Sequence, residues 1–217
     1  MDLLLPSGPL AMASLLTGYR PDVLLVSGFN WRLPDEVLNL PRVAALNIHP
    51  SPLPRYRGPS PILHAIRNGD PYLGMTIHRM TRRLDAGPVL AQVTDIPIPE
   101  NPTRDSIWES QKRALPGLIA TALDRAVAGD PGTPQDEATM TYAGAPPPEW
   151  SAVTWGHPRR DVHNQLRLLR YLKRQAPEVT YQGQNLRAER SSLIPIPSAY
   201  RVECADGPLW VQFTRRA

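Results

Sequence analysis

Two short apolar runs limit what this chain can fold into: Val23-Leu24-Leu25-Val26, closing at Ser27-Gly28, and Val43-Ala44-Ala45-Leu46, closing at Asn47. A continuous apolar run of this kind, without polar alternation, is the pattern of a strand buried on both faces, as in a parallel sheet covered by helices. Between them, Pro34-Asp35-Glu36-Val37-Leu38 reads as a short helix with proline in its first turn and acids placed to suit its dipole. Strand, helix and strand in succession predict an α/β core.

The pattern continues to about residue 130. Pro61 to Asn68 carries Ile62, Leu63, Ala65 and Ile66 at helical spacing, and Gly69 supplies a stop. Met75 to Met80 and Val89 to Ile96 read as strands able to pair around a turn at Asp85. Thr103 to Ala128 reads as a long amphipathic helix, with a bend expected near Pro116 and an end at Gly129-Asp130-Pro131. Residues 131 to 150, rich in Pro, Gly, Ala and Thr, read as a connector. Beyond it, Arg159 to Arg174 reads as a basic helix with Val162, Leu166, Leu169 and Leu172 on its apolar side. Val179 to Tyr181, Leu186 to Glu189, Tyr200 to Cys204 and Leu209 to Phe213 read as short strands. The domains expected are 1–140, a linker at 141–157, and a small, mostly β domain at 158–217.

Composition narrows the class without choosing a function. A hydrophobic content of 41% with 20% charged residues suits a globular protein able to bury a core. The 26 prolines, clustered at Pro50 to Pro61, Pro97 to Pro102 and Pro146 to Pro148, predict stiff connections. A net charge of +4 favours anionic partners only mildly; arginine makes up most of the excess, including Arg55, Arg57, Arg82 and Arg83, and most of these arginines read as solvated surface. Cys204 is the sole cysteine, which rules out an intramolecular disulfide and a cysteine-based zinc site, and no His-Glu-x-x-His spacing points to another metal. With no stretch long enough to span a membrane and no signal-peptide pattern, a cytoplasmic protein without membrane partners is expected.

Chemistry concentrates in Asn47-Ile48-His49-Pro50-Ser51-Pro52-Leu53-Pro54-Arg55-Tyr56-Arg57-Gly58 and in Leu84-Asp85-Ala86-Gly87. Asn47 and His49 stand two apart on a strand and so share a face, where Asp85 could meet them. Taken singly, Asn47 suits a turn, His49 a satisfied polar residue and Asp85 a hairpin. Together with Asn68-Gly69-Asp70 and Gly74-Met75-Thr76-Ile77-His78-Arg79-Met80, in this order, the chain resembles the 10-formyltetrahydrofolate-dependent formyltransferase family over roughly its first 140 residues.

The resemblance implies a Rossmann-like formyltransferase domain followed by a small OB-like domain. Because family members carry a strand, a glycine-containing loop and further strand and helix units ahead of the segment matching Arg20-Pro21-Asp22-Val23, it also implies a domain that is amino-terminally shortened and lacks its first strands. The catalytic residues it implies are Asn47, His49 and Asp85. Formyl transfer to an amine builds negative charge on an oxygen and releases a proton. Asn47 suits the oxygen, His49 can donate when protonated, and Asp85 can hold the imidazolium and help receive the proton. One oxyanion donor is worth roughly 2.7 to 4 kcal/mol. The co-substrate implied is 10-formyltetrahydrofolate, in a pocket edged by Gly28, Phe29, Asn30, Trp31, Arg32 and Leu33 and by Arg82, Arg83 and Leu84, largely through backbone groups. Pro52 stands where the family more usually has leucine and stiffens the loop beside His49. His64 reads as structural, and His78 as structural but near enough to line the pocket.

The acceptor expected first is the primary amine of a small molecule, an amino sugar or a specialised-metabolite intermediate, because the 76–92 segment is similar to that of amino-sugar formyltransferases. Trp155 with Asp161-Val162-His163-Asn164 is similar to their carboxyl-terminal region and to that of methionyl-tRNA formyltransferase, so tRNA is the second acceptor. Glycinamide ribonucleotide enzymes usually lack this tail. A reading of another class, a non-catalytic formyltransferase-like binding module, stands beside both, and oligomerisation stays open.

Overall fold

The computed structural model describes residues 8–29, 32–173 and 175–215. The chain forms two compact units, one of residues 1–61, 73–96 and 112–144, the other of 62–72, 97–111 and 145–217.

The first unit is built on a four-stranded sheet of order β1-β2-β3-β4, with β1 Val23–Ser27, β2 Ala44–His49, β3 Tyr72–Arg79 and β4 Val89–Pro97. β1 and β2 are parallel, with Val26 opposite Asn47, whereas β2 and β3 are antiparallel, with Asn47 opposite His78 and His49 opposite Thr76. Leu46 and Ile77 are fully buried, as strands covered on both faces require. The β1 run is less enclosed than its sequence suggests, because β1 is the edge of the described sheet and Leu25 stays 38% exposed. β3 starts earlier than its apolar residues indicate. Gly74, a poor strand former by composition, is needed there because a Cβ would come within 2.6 Å of the Pro52 nitrogen.

Helix α1, Pro9–Thr17, was not foreseen in the sequence pattern, since its apolar residues do not fall on one clear stripe. It starts with proline at its first turn after Gly8. Met12, Ala13 and Leu16 pack against Val26, Leu33 and Val37, the last on the short helix α2, Asp35–Leu38. α3 spans Pro61–Asn68 and α4 Arg104–Val127, which continues through Pro116. At the start of α4, Thr103 and Ser106 cap each other, each backbone N–H donating to the other's hydroxyl at 2.9 and 3.1 Å. α4 stops at Gly129, in the left-handed region at φ 76°, with the Asp130 N–H returning to the Arg125 carbonyl.

The second unit centres on an antiparallel sheet of order β5-β6-β8-β7, comprising Glu178–Tyr181, Gln184–Ser192, Gly207–Arg215 and Tyr200–Cys204. Helix α5, Arg159–Lys173, lays Val162 and Leu166 on Val179, Ala188, Val202, Leu209 and Val211. Burying this cluster is the main stabilising term of the unit, at about 25 cal/mol per Å² of apolar surface. β6 extends beyond the residues its sequence marks because Gln184, Asn185, Arg190, Ser191 and Ser192 are polar and hide its strand character. A bulge near Ala188 and Arg190 interrupts its pairing with β8.

α5 also buries His163, Asn164, Gln165 and Arg167, which the amphipathic reading left in solvent. Each finds work. His163 Nδ1 and the Ser191 hydroxyl are 2.8 Å apart, and Arg167 donates to the Glu100 and Pro99 carbonyls at 2.9 and 3.1 Å. Asn164 fills the space over Gly69, where a Cβ would lie 2.6 Å from its amide nitrogen. Gly69 ends α3 at φ 73°, so Gly69→Ala is expected to meet both strain and a clash, costing at least about 1 kcal/mol in a denaturant titration.

Burial, reinforced by Arg167, pulls the His163 imidazole from its ordinary 6.5 down to about 4. Folding therefore disfavours its protonation. Its contribution to stability is complete above about pH 6.5 and is lost as the pH falls toward about 4. The urea midpoint is expected to drop through that window, and less steeply in His163→Gln. An equal slope in both proteins would remove His163 as the cause.

Candidate functional site

A cavity of about 540 Å³ opens in the first unit over the carboxyl ends of β1 and β2. A chamber of this size is in the range of small-molecule sites, and the ends of parallel strands are where α/β sheets place them. Asn47, His49, His78 and Asp85 line it. Gly28, Phe29, Arg32, Leu33, Arg82, Arg83 and Leu84, marked in the sequence as a folate-binding set, line the same cavity. Asn30 and Trp31 lie outside the described residues.

The β2 to β3 register brings the polar side chains together. Asn47 and His49 alternate along β2 to one face, and the partner of Asn47 across the ladder is His78. His78 Nδ1 lies 2.9 Å from the Arg79 carbonyl, which can only accept, so this nitrogen carries the proton and Nε2 accepts from Asn47 Nδ2 at 3.2 Å. Asn47 Nδ2 also donates to Asp85 Oδ1 at 3.3 Å. Both neighbours being acceptors fixes the amide's orientation.

His49 is 5% exposed, and its Nε2 sits 2.8 Å from the Tyr56 carbonyl. That carbonyl requires a proton on Nε2, leaving the Nδ1 lone pair facing Asp85 Oδ2 at 3.6 Å. Burial pulls the His49 imidazole below its ordinary value, only partly offset by the Asp85 charge and the Tyr56 hydrogen bond. The shift favours the neutral ring, whereas the donor role expected of His49 needs the imidazolium.

Asp85 is 7% exposed. Burial pushes its carboxyl up, but His78, His49 and the Gly58 N–H, which donates to Oδ2 at 2.9 Å, outweigh it and hold the group below the usual carboxylate range. Asp85 itself sits in the left-handed region at φ 51°, at a cost of roughly 1 to 2 kcal/mol for a residue with a side chain. Gly87 follows, where a Cβ would lie only 1.8 Å from the Arg79 carbonyl. Glycine at 87 is thus a steric requirement of the turn.

The loop from Pro50 to Gly58 is sewn down from several sides. Thr76, fully buried on β3, donates to the Ser51 carbonyl at 2.7 Å and accepts from the Leu53 N–H and from Gln92. Residues 141–143 run beside it, with hydrogen bonds from the Arg57 N–H to the Thr141 carbonyl and from the Ala143 N–H to the Arg57 carbonyl. Gly58 is left no room for a side chain, since a Cβ would lie 2.9 Å from the Ala143 carbonyl.

Three residues escaped the sequence reading. Arg57, placed among surface charges, is 4% exposed. Its Nε and Nη2 donate to Gln135 Oε1 at 3.0 and 2.7 Å, and Nη2 and Nη1 to the two Glu137 oxygens at 2.9 and 3.2 Å. Arg57 and Arg83 together hold the Glu137 carboxyl down to about 2. Gln135 Nε2 donates to the Asp85 and Gly87 carbonyls at 2.9 and 2.8 Å. The stretch that reads as a connector therefore packs into the unit from Thr133, bridged to Val89, to Ala143. The one signal available was a Gln and a Glu, acceptors for a buried guanidinium, inside an otherwise featureless Pro and Thr segment. His64 belongs to the second unit, its ring 4.9 Å from that of Trp150.

A formyl transferase family profile matches residues 7–123. The methionyl-tRNA formyltransferase of Moorella thermoacetica is 37% identical over 149 residues, 68% of this chain and 48% of its own length. That of Phenylobacterium zucineum is 39% identical over 147 residues, 67% and 47% respectively. The chain spans about half the length of the curated relatives it matches. Among solved structures, HypX from Aquifex aeolicus in complex with tetrahydrofolic acid superposes with a TM-score of 0.69 at 22% identity, covering 96% of this chain and 38% of HypX. The sugar 3N-formyl transferase WlaRD, crystallised in the presence of dTDP and 5-N-formyl-THF, superposes with a TM-score of 0.71 at 17% identity, covering 93% and 77%. Similarities at this level of identity speak to the fold. With the profile spanning more than half of its residues, this chain belongs to the formyl transferase family.

Proposed function

We propose that this chain transfers a formyl group from 10-formyltetrahydrofolate to a primary amine. The observation that carries the reading is the cluster of Asn47 with the buried His49, His78 and Asp85, lining a cavity together with Phe29, Leu33 and Leu84. Apolar lining with a few convergent polar groups suits a ring system that is mainly packed and only locally hydrogen-bonded. The folate bound by HypX and offered to WlaRD supports the same donor. The residues assigned roles are Asn47, His49 and Asp85, with Gly28, Phe29, Arg32, Leu33, Arg82, Arg83 and Leu84 around the donor.

The donor supplies a formyl carbon to which the amine nitrogen bonds as the bond to the folate nitrogen breaks. Asn47 exchanges its long bond to Asp85 for the formyl oxygen, where negative charge develops. Neutral His49 takes the amine proton at Nδ1, its open nitrogen. Asp85 becomes the counter-ion of the imidazolium so formed, and the Gly58 N–H keeps that carboxylate ionised and aimed. The proton lost by the amine is returned to the departing folate nitrogen.

The acceptor reading starts from a small-molecule amine, supported by the similarity of fold to sugar N-formyltransferases. A specific observation favours a second reading, aminoacyl-tRNA: relatives above 30% identity are methionyl-tRNA formyltransferases. Salt separates the two. Affinity for tRNA falls steeply between low and physiological salt through counterion release, whereas affinity for a small amine barely changes.

Formyl transfer assayed across amino sugars and methionyl-tRNA is expected to succeed with at least one acceptor. His49→Ala should reduce kcat about 10²- to 10⁴-fold. Binding of 5-formyltetrahydrofolate by calorimetry without transfer to any acceptor would sink the enzyme reading in favour of a binding module, and absence of both would sink the folate reading too.

The pH profile gives an independent check. With the His49 pKa lowered, the acid limb of kcat/KM is expected below 6.5, activity rising as the ring loses its proton and levelling toward neutrality. In Asp85→Asn the charge that raises the ring is gone, so the limb of the residual activity should move to still lower pH. A limb that moves upward contradicts the assignment.

A further inference from the structure

We infer that Gln135 is the positioning residue of this site, aiming the Asp85 carboxylate through the backbone of the 85–87 turn without touching substrate. The inference rests on the formyl-transfer reading for its kinetic arm alone.

A primary amide has two N–H donors on one nitrogen and two lone pairs on its oxygen. All are engaged here. The two donors of Gln135 meet the carbonyls of Asp85 and Gly87, the residues that bracket the turn, at 2.9 and 2.8 Å. Its oxygen receives Arg57 twice, and because a guanidinium can only donate, the amide cannot flip without setting donors against donors. Arg57 is itself 4% exposed and closed on its other edge by Glu137, whose charge both Arg57 and Arg83 maintain. The chain of restraint therefore runs from an ion pair, through one amide, to two carbonyls.

The turn needs such a restraint. Asp85 holds a left-handed backbone, and Gly87 is wedged against the Arg79 carbonyl, so the two carbonyls point where no strand partner is described for them. If they were released to water, the turn could relax, and the carboxylate would swing away from the Gly58 N–H, from Asn47 and from His49 together. Gln135, fifty residues away in sequence from Asp85, is the side chain that closes this route.

The variant that tests the role is Gln135→Met, which keeps length and volume and removes donors and acceptor alike. Its kcat is expected to fall about 10- to 100-fold, as misplacement of a reacting group does, with KM for the folate within about twofold of wild type. In an NMR titration of the full chain, the His49 imidazole should titrate below its wild-type value, since the Asp85 charge that raises it has moved. Hydrogen exchange at the Gly58 amide should quicken for the same reason.

Gln135→Glu keeps an acceptor for Arg57 and lacks the donors. It should reproduce the kcat loss and the Gly58 exchange, and it takes the place of the Met variant should that fail to fold. A side chain that merely fills space predicts wild-type kinetics, His49 titration and Gly58 exchange in a folded variant, and that result overturns the inference. If the wild-type chain transfers no formyl group, the proposed function falls, while His49 and Gly58 still decide the question of Gln135.

Discussion

The Asp85 carboxylate is the interaction on which the first unit's chemistry turns. It is a charge 7% exposed to solvent, a placement that is unfavourable unless each lone pair is matched. The match comes from two separate stretches of chain: the Gly58 N–H from the proline-rich loop and the Asn47 amide from β2, with His49 and His78 packed beside it. Each stretch is in turn fixed by something local, whether the β2 to β3 register, the Thr76 hydroxyl beneath the loop, or the Tyr56 carbonyl that sets the His49 tautomer. Removing the charge would leave the Gly58 N–H and the Asn47 amide facing a group that no longer accepts from both. The cost of burying Asp85 is what makes its surroundings so strictly ordered.

How much of this could be seen in the sequence depends on the range of the interaction concerned. β2 was legible as a continuous apolar run, and the trio of Asn47, His49 and Asp85 through the family resemblance of the two short motifs that carry them. The helix at Arg159 was legible because its apolar residues recur at helical spacing. α1 was not, for its residues are apolar without a stripe. The buried His163, Asn164 and Arg167 were not, because polarity marks a residue as exposed until a partner such as Ser191 or the Glu100 carbonyl is known. Arg57 fails for the same reason. A guanidinium is read as surface unless its acceptors are seen, and Gln135 and Glu137 lie some eighty residues downstream in a stretch with no periodicity.

The second unit makes the complementary choice. Its apolar cluster beneath α5 is ordinary, while the other side of that helix is spent on hydrogen bonds to backbone carbonyls that have no ladder to join. Arg167 is suited to this because its planar fork reaches two carbonyls at once, though burial lowers its affinity for its own proton. His163, held neutral by burial, trades charge for a single bond to Ser191.

The fork of Arg57 between Gln135 and Glu137 has a consequence for how sequences of this kind can drift. A buried guanidinium left with one acceptor, or two acceptors left without it, is worse than either intact arrangement, so exchanges at 57, 135 and 137 are each unfavourable alone and tolerable only in combination. Descendants of this chain should therefore change these three positions as a correlated set, a covariation signal linking a loop beside β2 to a stretch that secondary structure alone would leave unaligned.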